Sequence, residues 1–325
     1  MTVIHGIEID EFPPVDTIKY AIANNQPLDS VLHVILVVSN PCMYARRYLL
    51  AKQCIHRLRS EKNIQVYVVE LAYGNQQFYV TKPYCKTHLQ LRTRDVLWHK
   101  ENMINLGIQK LLPSNWKAAA WIDADVEFTS STWALDCLKV LNGTADILQL
   151  WELAIDQGPR NETLKIFQSF GYFHSRGSKD ATVWHPGFAW AITHKAYDTI
   201  GGLYDVSILG SGDHNMAMCF RDVDKALNEK CTDGYKASME EWGHKAAGLR
   251  LAYIPGTLRH YFHGSKKNRR YHDRWEILVN HQFDPSTHLC RVHGLLQFSS
   301  ECPPQLQTHI LEYFQQRNED EFFRR

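Results

Sequence analysis

At positions 118–125 a run of small and apolar residues, Ala118-Ala119-Ala120-Trp121-Ile122, delivers Asp123-Ala124-Asp125. Where a buried strand breaks into a turn, two carboxylates spaced i and i+2 can reach one hard divalent cation, and such a cation neutralises a diphosphate. Alone the pair is a weak signal, since acidic pairs at strand ends often only cap a helix or solvate a turn. Three pieces downstream strengthen it. The first is His185-Pro186-Gly187-Phe188-Ala189-Trp190. In the second, Gly210-Ser211-Gly212 is a flexible turn that lets the backbone pass close to a ligand, and Asp213 follows as a helix N-cap. In the third, His260-Tyr261-Phe262-His263 leads into Gly264 and the cations Lys266, Lys267, Arg269 and Arg270. A nitrogen ligand there would stand just ahead of groups able to clamp a phosphate, with a solvated basic loop as an equal reading of each cation.

The elements that must position these residues follow from hydrophobic periodicity. His33 to Val38 reads as a fully buried strand ending in Ser39-Asn40-Pro41, followed by a helical stripe at Tyr44, Tyr48, Ala51, Ile55 and Leu58. A second strand, Ile64 to Leu71, completes a βαβ unit, which predicts an α/β fold with a mostly parallel sheet flanked by helices. Another helical pattern, Leu97, Ile104, Ile108 and Leu111, leads through Pro113 to the strand bearing the aspartates. In such sheets ligands bind beyond the carboxyl ends of the strands, where Ser39, Asn40, Glu70, Asp123 and Asp125 all fall. Ser39, Asn40 and Glu70 are therefore candidates for a nucleotide's base and ribose.

Asp146 to Trp151, Gly187 to Ile192 and Arg250 to Ile254 read as further strands, and Asp213 to Leu227 as a helix. The polar stretch from Asp156 to Asp180 reads as a mobile loop. Trp151 and Trp190 are candidates for stacking on a pyranose, although aromatics at alternating strand positions are usually core. The expected organisation is one domain over 1–283, with a nucleotide-binding half over 31–130 and an acceptor half over 131–283. A helical extension over 284–325 follows, ending in an amphipathic helix near Ile310 to Phe314.

Bulk properties exclude several function classes. The chain has 325 residues, 44% hydrophobic and 22% charged, enough to bury a large core. Lys plus Arg total 36 against 35 Asp plus Glu, so a formal charge of +1 provides no global field toward nucleic acid or membrane. The longest apolar run, Val31 to Val38, is interrupted by His33 and falls short of the roughly 20 residues a membrane span needs. The acidic N-terminus lacks the pattern of a signal peptide, which predicts a cytoplasmic, reducing compartment. The eight cysteines contain no Cys-x-x-Cys pair, which argues against a zinc site and leaves buried free thiols as the expectation.

In order along the chain, the four pieces resemble the GT-A family of metal-dependent glycosyltransferases, most clearly over residues 31–271. The closing segments are similar to the animal β-galactosyltransferases and polypeptide N-acetylgalactosaminyltransferases. The resemblance implies a GT-A, Rossmann-like fold and a Mn²⁺ (or Mg²⁺) ion bound by Asp125 with help from Asp123. His263 completes the set, with His260 as the runner-up. Two carboxylates and one imidazole would leave positions open for two phosphate oxygens of a nucleotide sugar, in the family's case a UDP-sugar. It further implies Lys100 and Asn105 on the helix facing the metal strand, Gly187 beside the donor sugar, and Lys266 and Arg269 at the diphosphate. Asp213 would be the base of an inverting transfer to a glycan, protein or small-molecule acceptor. The family often has Glu-Asp where this chain has Asp213-His214, so both residues stand as candidates. Three other readings remain. A nucleotidyltransferase usually carries a glycine-rich basic loop after its first strand, which Ser39-Asn40-Pro41-Cys42-Met43 lacks. The others are a non-catalytic nucleotide-sugar binding module and transfer to a modified nucleic-acid base, against which the near-neutral charge counts.

Overall fold

The run Leu32–Ser39 (β1) is apolar on both faces because it lies inside a sheet covered on both sides. In the computed structural model, which describes residues 2–9, 16–176, 184–270 and 273–321, the chain continues from β1 into helix α1 (Ala45–Arg59) and strands β2 (Ile64–Tyr73) and β3 (His88–Thr93). Helix α2 (Lys100–Leu111) then leads to β4 (Ala118–Ile122) and the short β5 (Val126–Phe128). Strands β6 (Ile147–Gln149), β7 (Leu153–Gln157), β8 (Thr163–Ser169), β9 (Trp184–His185) and β10 (Ala189–Thr193) follow. Helix α3 (Gly212–Cys219), strands β11 (Leu251–Tyr253) and β12 (Thr257–His260) and helix α4 (Pro304–Gln316) complete the elements that build the site.

The large sheet has the order β11-β6-β10-β4-β1-β2-β3, and β10 alone runs against its neighbours. The expected mostly parallel α/β architecture is therefore the observed one. A second sheet, β9-β8-β7-β12-β5, stands beside it. Strand alternation divides the core into two layers. Ile35, Val69 and Trp121 face one side with Met103 of α2, whereas Leu36, Val68 and Ala120 face the other with Leu138. Truncating a fully buried side chain such as Leu36 to alanine costs about 2–5 kcal/mol.

Two expectations change. The stretch from Asp156 is not a loop as far as Arg176: β7 and β8 pair antiparallel as a hairpin, and a short helix, Phe170–Ser175, follows. Gly158, Pro159 and Asn161 are turn residues, but they serve the hairpin's tip, where Gly158 N donates to Glu162 O at 2.8 Å and Asn161 adopts φ 63°. The remainder of that stretch, 177–180, lies outside the described residues. The helix expected over Asp213 to Leu227 ends at Cys219 and gives way to a single tight turn at Val223–Lys225. All eight cysteines are free, with Cys54, Cys137, Cys219, Cys231 and Cys302 buried. Among the described residues no helix is long and apolar enough to cross a membrane.

Candidate active site

Asp123-Ala124-Asp125 occupies the step where the chain leaves β4 in the large sheet and enters β5 in the small one. The step is pinned at both ends: Asp123 N donates to Phe188 O at 2.7 Å, and Tyr261 N donates to Asp125 O at 2.8 Å. It borders a cavity of about 790 Å³, whose wall also includes Ser39, Arg47, Lys100, His185, Asp213, His214, His260, His263, Lys266, Arg269 and Arg317.

Asp125 lies between two imidazoles. Its Oδ2 is 2.8 Å from His263 Nε2 and 3.9 Å from His260 Nε2. Oδ1 is buried without a hydrogen-bond partner. The ligand atoms of Asp125, His260 and His263 all lie within 4.8 Å of one another, the one such group among the described residues. Behind His260, Asp156 Oδ1 meets Nδ1 at 2.7 Å, which turns Nε2 toward Asp125 in the manner of a carboxylate that orients a ligating histidine. Lost solvation raises the Asp125 carboxyl, but His263 and His260 outweigh it and hold the group well below the usual carboxylate range. A carboxylate with one oxygen lacking a donor and the other beside two histidine nitrogens suits a divalent cation. The runner-up His260 thus belongs to the triad.

Asp123 does not join it. Its Oδ1 is 2.5 Å from Lys100 Nζ, so a fixed ammonium already neutralises it. Burial raises the Asp123 pKa, partly offset by Lys100, and the same ammonium feels Asp213. The expected pair of metal carboxylates therefore separates into one free for a cation and one paired with lysine.

Asp213 sits in the first turn of α3, not at its cap, which is Ser211 in a left-handed conformation at φ 71°. Its Oδ1 accepts from His214 N at 2.8 Å. Gly187 is required beside it, because a Cβ there would stand 2.7 Å from Asp213 Oδ2 and 2.8 Å from His185 Cε1. Burial pushes Asp213 up, but Lys100 and His185 together leave its carboxyl below the ordinary value. His185 itself is lowered to about 3 by burial and is neutral at physiological pH. His214 is likewise lowered by burial, against the pull of Asp213, and stacks on Trp184 with ring centroids 5.7 Å apart.

Of the basic run, Lys266 and Arg269 reach the cavity and Lys267 and Arg270 do not. Lys266 Nζ is 2.6 Å from Asp156 Oδ2, and Arg269 Nη2 lies 2.6 Å from His263 Nε2. Ser39 borders the cavity and hydrogen-bonds the Tyr73 hydroxyl at 2.8 Å.

Three expected ligand contacts are corrected. Asn40 is buried and clamps the β1–α1 turn, donating to Tyr44 O at 2.8 Å and accepting from Tyr44 N at 3.0 Å. Glu70 is spent on the loop after β2, accepting from Tyr79 N and Thr81 N, each at 2.7 Å, and from the Thr81 hydroxyl. Asn105 holds Leu203 through its N–H and C=O, both at 2.9 Å. Each is a buried polar side chain already hydrogen-bonded within the protein, and none of the three lines the cavity. Trp151 and Trp190 are also core: Trp151 donates to Gly187 O at 3.3 Å and Trp190 to Pro186 O at 2.7 Å. The aromatic residues of the cavity wall are instead Trp98, Phe167, Trp184, Phe188, Trp275 and Phe314, and of these only Phe188 lay in a motif read from the sequence. Their distant sequence positions carry no shared pattern that would have revealed them.

No protein-family model matches the sequence, and no curated protein does so significantly. Among solved structures, a mutant of the Drosophila β-1,4-galactosyltransferase 7 in complex with manganese, UDP-Gal and xylobiose overlaps with a TM-score of 0.38 at 13% identity, over 74% of each chain. A protein assigned as a nucleotide-diphospho-sugar transferase from Desulfovibrio desulfuricans gives 0.34 at 8% identity, over 76% of this chain and 91% of that one. One assigned as a glucose-1-phosphate thymidylyltransferase from Bacillus anthracis, in complex with sucrose, gives 0.35 at 10% identity, over 70% and 88%. At such scores the likeness decides nothing about chemistry, which stands on the residues themselves.

Proposed function

We propose that the chain transfers a sugar from a nucleotide sugar, a UDP-sugar in the first instance, to an acceptor hydroxyl with inversion at the anomeric carbon. A divalent cation, Mn²⁺ or Mg²⁺, would be held by Asp125, His260 and His263. One observation carries this reading: a histidine–carboxylate triad with a buried, unpartnered oxygen shares a single nucleotide-sized cavity with Asp213.

When bound, the cation supplies charge neutralisation for a departing diphosphate. Asp213 takes the proton of the acceptor hydroxyl as that oxygen bonds to the anomeric carbon, while the bond from this carbon to the diphosphate oxygen breaks. Lys100 keeps Asp213 ionised and ready to accept. His214 is the second candidate for the base. Lys266 and Arg269 line the wall where negative charge grows on the leaving diphosphate. Ser39 and Arg47, at the end of β1 and the start of α1, are suited to the nucleoside, and the stacked Trp184 and His214 offer a flat face to a glycan, protein or small-molecule acceptor.

The test is nucleotide release from a panel of UDP- and GDP-sugars, with and without Mn²⁺, on the wild type and on Asp125→Ala. Mn²⁺-dependent release that disappears in the variant is the expected result. Neither release nor binding with any donor or metal would overturn the reading.

A further inference from the structure

Beyond α4 the chain runs through Arg317-Asn318-Glu319-Asp320-Glu321, a polar composition that on an open surface would simply be solvated. Here each of the three carboxylates is tied to a different part of the site. Asp320 accepts from Ala45 N at 2.8 Å and Arg46 N at 2.9 Å, at the positive end of α1. Glu321 accepts from Ser265 N at 2.7 Å and Asn268 Nδ2 at 3.1 Å, in the turn after His263. Glu319 is 1% exposed and accepts from Arg47 Nε and Arg317 Nε, both at 2.9 Å. The Tyr44 hydroxyl stitches the segment down, 3.0 Å from Phe314 O, 2.8 Å from Gln315 O and 3.0 Å from Asn318 N.

Glu319 also stands behind a member of the triad. Its Oε2 is 3.7 Å from His263 Nδ1, an electrostatic contact on the same side of the ring as the 2.7 Å hydrogen bond of Asp156 on His260 Nδ1. The backbone between them is in contact: Gly264 has φ +91°, and a Cβ there would stand 3.0 Å from Glu319 Cα. We propose that residues 317–321 form a strap whose buried Glu319 positions His263 for cation binding, so that cation affinity is set by this segment as well as by the ligands. The inference rests on the cation reading given above. Two forces act together in it. The strap's contacts at Gly264, Ser265 and Asn268 hold the turn that carries His263, and the negative charge of Glu319 offsets Arg47 and Arg317 beside a site that must accept a cation.

The test is Mn²⁺ titration of the full chain by electron paramagnetic resonance, following loss of the free-ion signal, with spin-echo detection of imidazole nitrogen coupled to bound Mn²⁺. Wild type should bind with two coupled imidazoles, and His263→Ala sets the signature of one. Glu319→Gln should weaken binding by about 10–100-fold, as loss of a partner behind a ligand does, and shift the nitrogen signal toward that of His263→Ala. The double variant Asp320→Ala, Glu321→Gln keeps Glu319 but cuts its anchors, and should also weaken binding. If Glu319→Gln does not fold, the double variant decides. Wild-type affinity and two-imidazole coupling in the folded strap variants would overturn the strap alone. Absence of Mn²⁺ uptake by the wild type would overturn the cation reading and the strap with it.

Discussion

Asp123 lies 2.5 Å from the ammonium of Lys100, whereas Asp125 lies between two imidazoles and keeps one buried oxygen without a donor. The two carboxylates are two residues apart in one turn, yet one meets a permanent charge and the other meets groups that can exchange a proton for a metal. Two carboxylates of one short motif thus differ in the partner each meets, and only Asp125 belongs to the histidine cluster. Here that partner comes from α2 for Asp123 and from the end of β12 and the turn after it for Asp125.

Paired substitutions break or sharpen this contrast. The largest effect is expected from Asp125→Ala, which should lower Mn²⁺ affinity by more than about 100-fold, beyond what losing a supporting group costs. Asp123→Asn should leave Mn²⁺ affinity at the wild-type value while lowering nucleotide release. Equal losses of metal at the two positions would erase the distinction. Next comes Gly187→Ala, whose new methyl meets Asp213 Oδ2 and His185. Turnover should fall about 100-fold, the cost of displacing a reacting group by roughly an ångström, with Mn²⁺ affinity intact. Unchanged turnover would remove Asp213 from the chemistry.

The smallest effect concerns Glu101, next to Lys100 and buried, with Oε2 unpartnered. Burial pushes its carboxyl up to about 8, with Lys100 pulling the other way. The folded chain therefore keeps a proton that the unfolded chain releases near the usual 4.5, so this contribution to stability is complete at acid pH and fades as pH rises toward 8. The melting temperature of the wild type should fall more steeply between pH 5 and 8 than that of Glu101→Gln. Parallel curves would show that Glu101 does not titrate there.

Legibility in the sequence followed the range of the interactions. The central βαβ unit was readable because burial on both faces writes a continuous apolar run at β1 and β2. Asp125, His260, His263, Lys266, Arg269 and Asp213 were readable as chemistry-bearing types beside turns. Asn40 and Glu70 were misleading for the same reason, and Asn105 through the resemblance: polar residues at strand ends look like ligand contacts, and only tertiary structure reveals that partners within the protein already engage all three. The β7–β8 hairpin was hidden because its cavity-facing Lys165 and Phe167 alternate with Leu164 and Ile166, which are exposed, opposite to the pattern of a half-buried strand. Glu319 was unreadable, since nothing local distinguishes a buried anion from its solvated neighbours.

The site is built from the longest-range pairings of the fold. Val126 aligns with His260 in the small sheet, and Arg47 meets Glu319 across 272 residues of sequence. Contacts of such high order form slowly, because the entropy of closing a large loop is lost before any attraction repays it. In a refolding chain, therefore, the parallel core around β1 and β2 should regain its tryptophan burial first, and competence to take up Mn²⁺ should lag behind it as a separate, slower phase.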